Sequence, residues 1–271
     1  MDWSRTKTIF IVVFSILNVM LMWLYLDRYN ESIGLQGTLT GTTPIEESLT
    51  MDNIEVPRLA NMPNQVAYVS GTVHNFTPEE LDMLENVAVT IESADVLMGT
   101  LMEPVAVSET MDLETIVQEH AFNGDEYEIW SSDAESRTAV FFQQVNERDV
   151  YYNTKATIEI TWNENNEVTG FTQTYLDNLE DYNEERTLIS YMSAIEVLYN
   201  RALLQPGSDV INVELGYSTL AQLGETQVFS PTWSVLIELP DGTMKEYFVN
   251  AIDSRVLDIP IDSEESDDTE E

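Results

Sequence analysis

The sequence predicts an α+β protein: an N-terminal transmembrane helix followed by an extracytoplasmic domain of two helix-plus-antiparallel-β-meander units. Three observations predict it. Thr8–Leu26 (TIFIVVFSILNVMLMWLYL) is an apolar run with no charge, Pro or Gly. Beyond it, short runs that alternate apolar and polar residues recur between turn residues, the period of strands buried on one face. Twice, a stretch with apolar residues at a 3.6-residue period precedes such a series.

The apolar run comes first. At about 1.5 Å per residue its nineteen residues reach roughly 29 Å, close to the ~30 Å of a bilayer's hydrocarbon core. A helix crosses there because it satisfies its own backbone polar groups. A cleaved signal peptide would carry a shorter apolar region and a small-residue cleavage site; this run ends in Trp-Leu-Tyr-Leu-Asp-Arg. Arg5, Lys7 and the terminal amine precede it, and only Arg28 follows closely, so the positive-inside tendency keeps residues 1–7 cytoplasmic and exports the rest. The expectation is a single-pass protein of the cell membrane, with the lipid bilayer as its first partner and its main domain extracytoplasmic.

Residues 27–50, with Gly34, Gly37, Gly41 and Pro44, read as a stalk. The first unit spans 51–180. Gln65–Val73 alternates as a strand, and Thr77-Pro78-Glu79-Glu80 has the residues of a helix start: a cap, Pro at the first helical position and Glu three residues on. Val87–Ile91 and Val105–Val107 are strand candidates. Asp112–Phe122 reads as a helix stopped by Asn123-Gly124, followed by strands at Tyr127–Trp130, Thr138–Val145, Ala156–Trp162 and Val168–Tyr175, with a turn at Asn163–Asn166. The second unit spans 181–260. It opens on a helix at Glu184–Leu204 ended by Pro206-Gly207, then strands at Val210–Tyr217, Thr232–Leu239 and Glu246–Ala251, the last two joined by Pro240-Asp241-Gly242. Residues 261–271 form a tail: Asp262–Glu271 holds seven carboxylates in ten residues, a composition that predicts disorder.

Charge narrows the function. With 11 Lys and Arg against 49 Asp and Glu, the formal net charge is −38. Nucleic acid and anionic lipid would repel such a chain, so no nucleic-acid partner is expected. The carboxylates are spread over the whole length, which points to a salty or alkaline exterior more than to one basic partner. There is no cysteine, hence no disulfide, thiolate nucleophile or Cys-based metal site.

Catalysis needs a nucleophile with a base, a carboxylate pair or a metal. The two histidines, His74 and His120, stand far apart in no ligand spacing, and His120 falls on the apolar side of its helix. Ser4-Arg5-Thr6-Lys7 matches S-x-x-K but sits at the membrane edge. No G-x-S-x-G, phosphate loop or H-E-x-x-H occurs. No catalytic residue, metal or cofactor is therefore assigned. Among so many carboxylates a catalytic pair is invisible, so a wall glycosidase stays as the enzyme alternative, and a peptide-binding module as another.

The membrane helix carries a sharper signal. Ile11, Ser15, Asn18, Met22 and Tyr25 fall on one stripe. Asn at mid-membrane costs free energy alone, and a hydrogen bond to another helix recovers on the order of 1 kcal/mol. These residues are the candidate partner-binding surface, with Arg5 and Lys7 setting orientation.

The opening Met1-Asp2-Trp3-Ser4-Arg5-Thr6-Lys7-Thr8-Ile9-Phe10 resembles the start of the YycI (WalI) proteins of Gram-positive bacteria. Further similar segments are Tyr68–Gly71, Phe122–Asp125, Gln173–Asp177, Val213–Tyr217, Ser230–Trp233 and Tyr247–Ala251. The resemblance implies a single-pass, non-enzymatic regulator of the sensor histidine kinase WalK (YycG), acting alongside the related YycH in a two-component system that controls cell-wall metabolism. It implies no catalytic residue and no cofactor.

Overall fold

The computed structural model describes residues 45–107 and 110–259, and, nearer the start, positions 7, 13–15, 17, 18 and 20–22. The chain divides into two compact units, Met1–Met51 and Asp52–Glu271. In the first, the described positions between 13 and 22 are helical. A further helix, α1 (Ile45–Met51), carries Glu46 and Glu47 in its first turn, where carboxylates favour the dipole, and Thr50 Oγ1 donates to Glu46 O at 2.7 Å. Among the described residues no helix is long and apolar enough to cross a membrane. Most of Thr8–Leu26, residues 27–44 of the predicted stalk and the acidic tail lie outside the described residues; residues 45–50, read as the end of the stalk, are helical, as part of α1.

The second unit is α+β, with few helices and two antiparallel sheets. Its elements in order are β1 (Gln65–Val73), α2 (Pro78–Leu81), β2 (Val87–Ser93), β3 (Val96–Ala106), α3 (Thr110–His120), β4 (Tyr127–Asp133), β5 (Thr138–Val145), β6 (Arg148–Asp149), β7 (Thr157–Trp162), β8 (Glu167–Gln173), β9 (Leu176–Thr187), α4 (Tyr191–Asn200), β10 (Asp209–Leu223), β11 (Thr226–Glu238), β12 (Met244–Asn250) and β13 (Val256–Leu257).

One sheet has the order β2-β3-β8-β7-β5-β4, with β6 added to β5. The strands after α3 are neighbours in sequence and in space, because short turns such as Asn163–Asn166 leave no room for a crossover. Helix α3 places Leu113, Ile116 and Val117 on this sheet's core with Phe141, Ile158, Ile160, Val168 and Phe171. The other sheet has the order β13-β12-β11-β1-β9, with β10 paired along β11. Here Val69, Leu176, Tyr217 and Phe229 pack with Val145 and Val150, which arrive from β5 and the segment after β6, so the sheets share a core.

Three expectations change. Gln65–Val73, read with the meander predicted over residues 51–180, pairs with β11 and β9 in the sheet that also holds β10 and β12, since its buried face completes the Val69–Phe229 cluster. Glu184–Leu204 is not one helix: Glu184–Thr187 ends strand β9, and α4 starts at Tyr191. The start is set by Ser190, whose Oγ accepts from Ser193 N at 3.0 Å. The helix stops before Pro206-Gly207, at Asn200, and Ala202 takes a left-handed conformation, φ 57°. Finally, Val210–Tyr217 and Thr232–Leu239 are halves of one longer hairpin that turns at Gly224, φ 69°.

Candidate functional site: an acidic cleft between the sheets

Strand β6 joins the two sheets at one point. It hydrogen-bonds β5, and Val150 just beyond it bridges Tyr217 of β10 in parallel, with Tyr151 N donating to Tyr217 O at 2.8 Å. The approach is possible because residue 216 is Gly: a Cβ there would fall 2.5 Å from Tyr151 Cζ and 2.6 Å from Asp149 O. Beside this junction a cleft of about 1000 Å³ opens between Glu128–Ser132 of β4 and Asn212–Leu215 of β10, with Glu246 of β12 on its wall. Both β4 and β10 are edge strands.

The cleft is acidic. Asp149 is held by Gln144 Nε2 at 3.1 Å, and the same amide nitrogen donates to Glu128. Burial pushes the Asp149 carboxyl up to about 7; the Gln144 bond opposes this, and the charges of Glu128 and Glu214 add to it. Burial also raises Glu246, against hydrogen bonds from Ser234 and Tyr152. Tyr152 donates to Glu246 Oε2 at 3.2 Å and accepts from Trp130 Nε1 at 3.0 Å. Arg148 is the one basic residue among the described lining. Aromatic rings line it and are packed from behind: Trp130 stacks on Phe142 at 5.2 Å, and Tyr151 lies 5.2 Å from Phe248.

A second polar cluster lies at the joint between β1 and β9. His74, 7% exposed, has Nδ1 at 2.6 Å from Asp177 Oδ2 and Nε2 at 3.3 Å from Glu80 Oε2. Glu80 also accepts from Thr77 N at 2.8 Å, so the capping box expected at Thr77 anchors the histidine. The His74 ring stacks on Phe122 at 5.1 Å and meets the edges of Phe76 and Tyr175. Both ring nitrogens face carboxylates and three aromatic rings enclose the side chain, so the cluster reads as a structural clamp. His120 Nδ1 is buried with no hydrogen-bond partner among the described residues.

Of the residues singled out in the sequence, Arg5, Ile11 and Tyr25 lie outside the described residues. Ser15, Asn18 and Met22 are helical and exposed, and Lys7 is helical. Asn18 Nδ2 donates to Phe14 O, one turn back, at 2.8 Å. Sequence reasoning missed the cleft altogether: its carboxylates come from four separated strands, and nothing distinguishes them among 49. Among the described residues no group of three or more His, Cys, Asp and Glu side chains is placed to hold a metal ion.

Two solved structures are similar in part. An uncharacterized protein from Eubacterium rectale aligns with a TM-score of 0.46 and 11% identity, over 76% of this chain and 89% of that one. The Bacillus megaterium YpeB C-terminal domain aligns with a TM-score of 0.38 and 11% identity, over 69% and 100%. No curated protein matches. A family model described as "YycI protein" matches residues 35–252, most of the chain, and the chain belongs to the YycI family.

Proposed function

We propose that this chain is a membrane-anchored, non-enzymatic regulator of a sensor histidine kinase, in a two-component system that controls cell-wall metabolism. It acts through its transmembrane helix and through extracytoplasmic protein contacts. The observation that carries the reading is the family match over residues 35–252. The partners expected from it are the kinase WalK (YycG) and the related regulator YycH. Thr8–Leu26 is the proposed single span, with its N-terminus in the cytoplasm.

Physical chemistry sets what such a helix does. A bound partner shifts a two-state kinase only by its differential affinity for the two states. Interhelical hydrogen bonds supply on the order of 1–2 kcal/mol, a several-fold change in activity. Asn18 donates one amide N–H to Phe14 O and keeps Oδ1 as an acceptor, and its second N–H as a donor, for a neighbouring helix. The test is co-purification with the kinase from detergent-solubilised membranes, comparing the native chain with one whose Thr8–Leu26 is exchanged for an unrelated spanning helix. Loss of the kinase with the substitute supports the helix as the regulatory element. Recovery with both chains moves the contact outside the membrane, and recovery with neither overturns the reading.

One observation favours a second reading, an extracytoplasmic wall hydrolase: Asp149, pushed up to about 7, shares Gln144 with Glu128 in a cleft. Release of soluble sugar from purified peptidoglycan by the native chain, lost in Asp149→Asn, would establish it.

A further inference from the structure

The cleft has three features that acidity alone does not supply. The first is a hydroxyl open to the cleft. Tyr151 is 2% exposed and lines the cleft beside Asp149, Glu214 and Glu246, and its hydroxyl, which makes no hydrogen bond to another described residue, keeps access to solvent there. A phenol both donates and accepts, so this one can pair with a group that enters the cleft. The second is an open strand edge. Glu55 bridges β10 at Asp209 and Val150 bridges it at Tyr217, which leaves Ile211–Leu215 without a strand neighbour between them, Val213 N being held by Asn212 Oδ1 at 2.9 Å. Four consecutive residues of that stretch, Asn212–Leu215, line the same cavity. Side chains of a strand alternate between faces, so four in a row mean that the edge itself looks into the cleft. The third is an aromatic wall, Trp130, next to the carboxylates, a pairing that suits a cationic side chain.

We infer that the cleft is a docking site for an extended, Lys- or Arg-bearing segment of a partner protein. The segment adds to the free edge of β10, with its cationic side chain among Glu128, Asp149, Glu214 and Glu246 against Trp130, and a polar group of its backbone on the Tyr151 hydroxyl. Charge complementarity selects this occupant: an acidic segment meets repulsion from every wall of the cleft except Arg148. Strand addition uses main-chain hydrogen bonds for affinity and side-chain pockets for specificity. Five residues without a strand neighbour, at ~3.3 Å each, give an edge roughly 16 Å long. The cavity of about 1000 Å³ is large enough for such a segment.

This goes beyond the regulatory reading, and the assay contains no kinase, so the two succeed or fail separately. The full chain in neutral-lipid nanodiscs at 150 mM salt is titrated against a fluorescein-labelled Val-Lys-Val-Arg-Val-Lys peptide and a version with Pro at the central Val. The expected result is binding of the first peptide and at least tenfold weaker binding of the second. Joint Glu128→Gln, Glu214→Gln and Glu246→Gln replacement weakens binding tenfold or more. A charge-matched set at exposed positions outside the cleft, Glu119→Gln, Glu184→Gln and Glu185→Gln, changes it less than twofold. Tyr151→Phe, which keeps the packing, weakens it at least threefold. Equal losses from the two triple sets would assign binding to the general acidic surface, and equal binding of the Pro peptide would remove strand addition; either overturns the proposal, as does an unchanged affinity in Tyr151→Phe.

Discussion

His74 Nδ1 stands 2.6 Å from Asp177 Oδ2, tying the residue after β1 to the second residue of β9 across 103 positions of sequence. The other ring nitrogen faces Glu80, and the ring is enclosed by Phe76, Phe122 and Tyr175. A Leu at 74 fills most of this space and makes neither polar contact. Loss of a buried hydrogen-bonding partner costs about 1–3 kcal/mol. His74→Leu is expected to lower the unfolding free energy of the full chain in detergent by that amount, read as a lower urea midpoint at unchanged slope, with Asp177→Asn costing less because the amide can still accept from the ring. An unchanged midpoint in His74→Leu would remove the clamp from the account of stability.

Gly216 permits the contact between the two sheets. A methyl group there meets the Tyr151 ring and the Asp149 carbonyl at 2.5–2.6 Å, and the carbonyl is backbone that cannot turn aside. Overpacking of this kind costs about 1–3 kcal/mol. Gly216→Ala is therefore expected to lower the melting temperature by several degrees and to displace β6 from β10. Amide exchange reads the second effect directly: Tyr151 N–H, bonded to Tyr217 O, loses protection before the amides of β7 and β8. Equal protection in both proteins would show that the junction accommodates the methyl.

Asp149 gives the cleft a pH dependence with a definite sign. Its carboxyl rises from an ordinary 3.8 to about 7 in the folded protein. Between these values the folded state holds a proton that the unfolded state has released. Stability is then fully present below pH 4 and declines as pH rises toward 7, with a slope of at most about 1.4 kcal/mol per pH unit from this one group. Asp149→Asn keeps the Gln144 contact without a titratable proton. The variant is expected to gain stability relative to the native chain as pH rises from 5 to 8. Parallel denaturation midpoints across that range would place the Asp149 titration elsewhere.

Much of the fold is legible in the sequence where a local rule decides the outcome. Thr138–Val145 alternates and is a strand over those residues; Asn163–Asn166 turns; Thr77 and Glu80 form their capping box. The sequence misleads where two local rules overlap. Leu188 and Ile189 continue the helical period of Met192, Ile195 and Leu198 backward, so the pattern places the helix start too early. Ser190 is the actual cap, and exposed Glu184–Arg186 belong to an edge strand. Long-range pairing is not legible at all. Nothing in Gln65–Val73 says that its partners are Thr226–Phe229 and Leu176–Thr187. The cleft fails to show for the same reason, since Glu128, Asp149, Glu214 and Glu246 meet only after both sheets have formed.

The charge of the chain yields the broadest prediction. A formal −38 on 271 residues means mutual repulsion in the compact state, and five carboxylates (Glu128, Glu147, Asp149, Glu214 and Glu246) line the cleft with Arg148 as the one described cation. Salt shortens the reach of this repulsion from about 10 Å at 0.1 M to about 3 Å at 1 M. The melting temperature is expected to rise between 0.05 and 1 M NaCl by about 5 °C, equivalent to about 1–2 kcal/mol for a domain of this size. Sucrose at matched osmolality separates screening from general exclusion at the surface, because it leaves charge interactions unscreened. A rise with NaCl and a smaller one with sucrose supports acidity as an adaptation to a salty exterior. Equal melting temperatures at both salt concentrations would show that the carboxylates lie far enough apart in the folded protein not to oppose it, and the search for their purpose would return to the cleft.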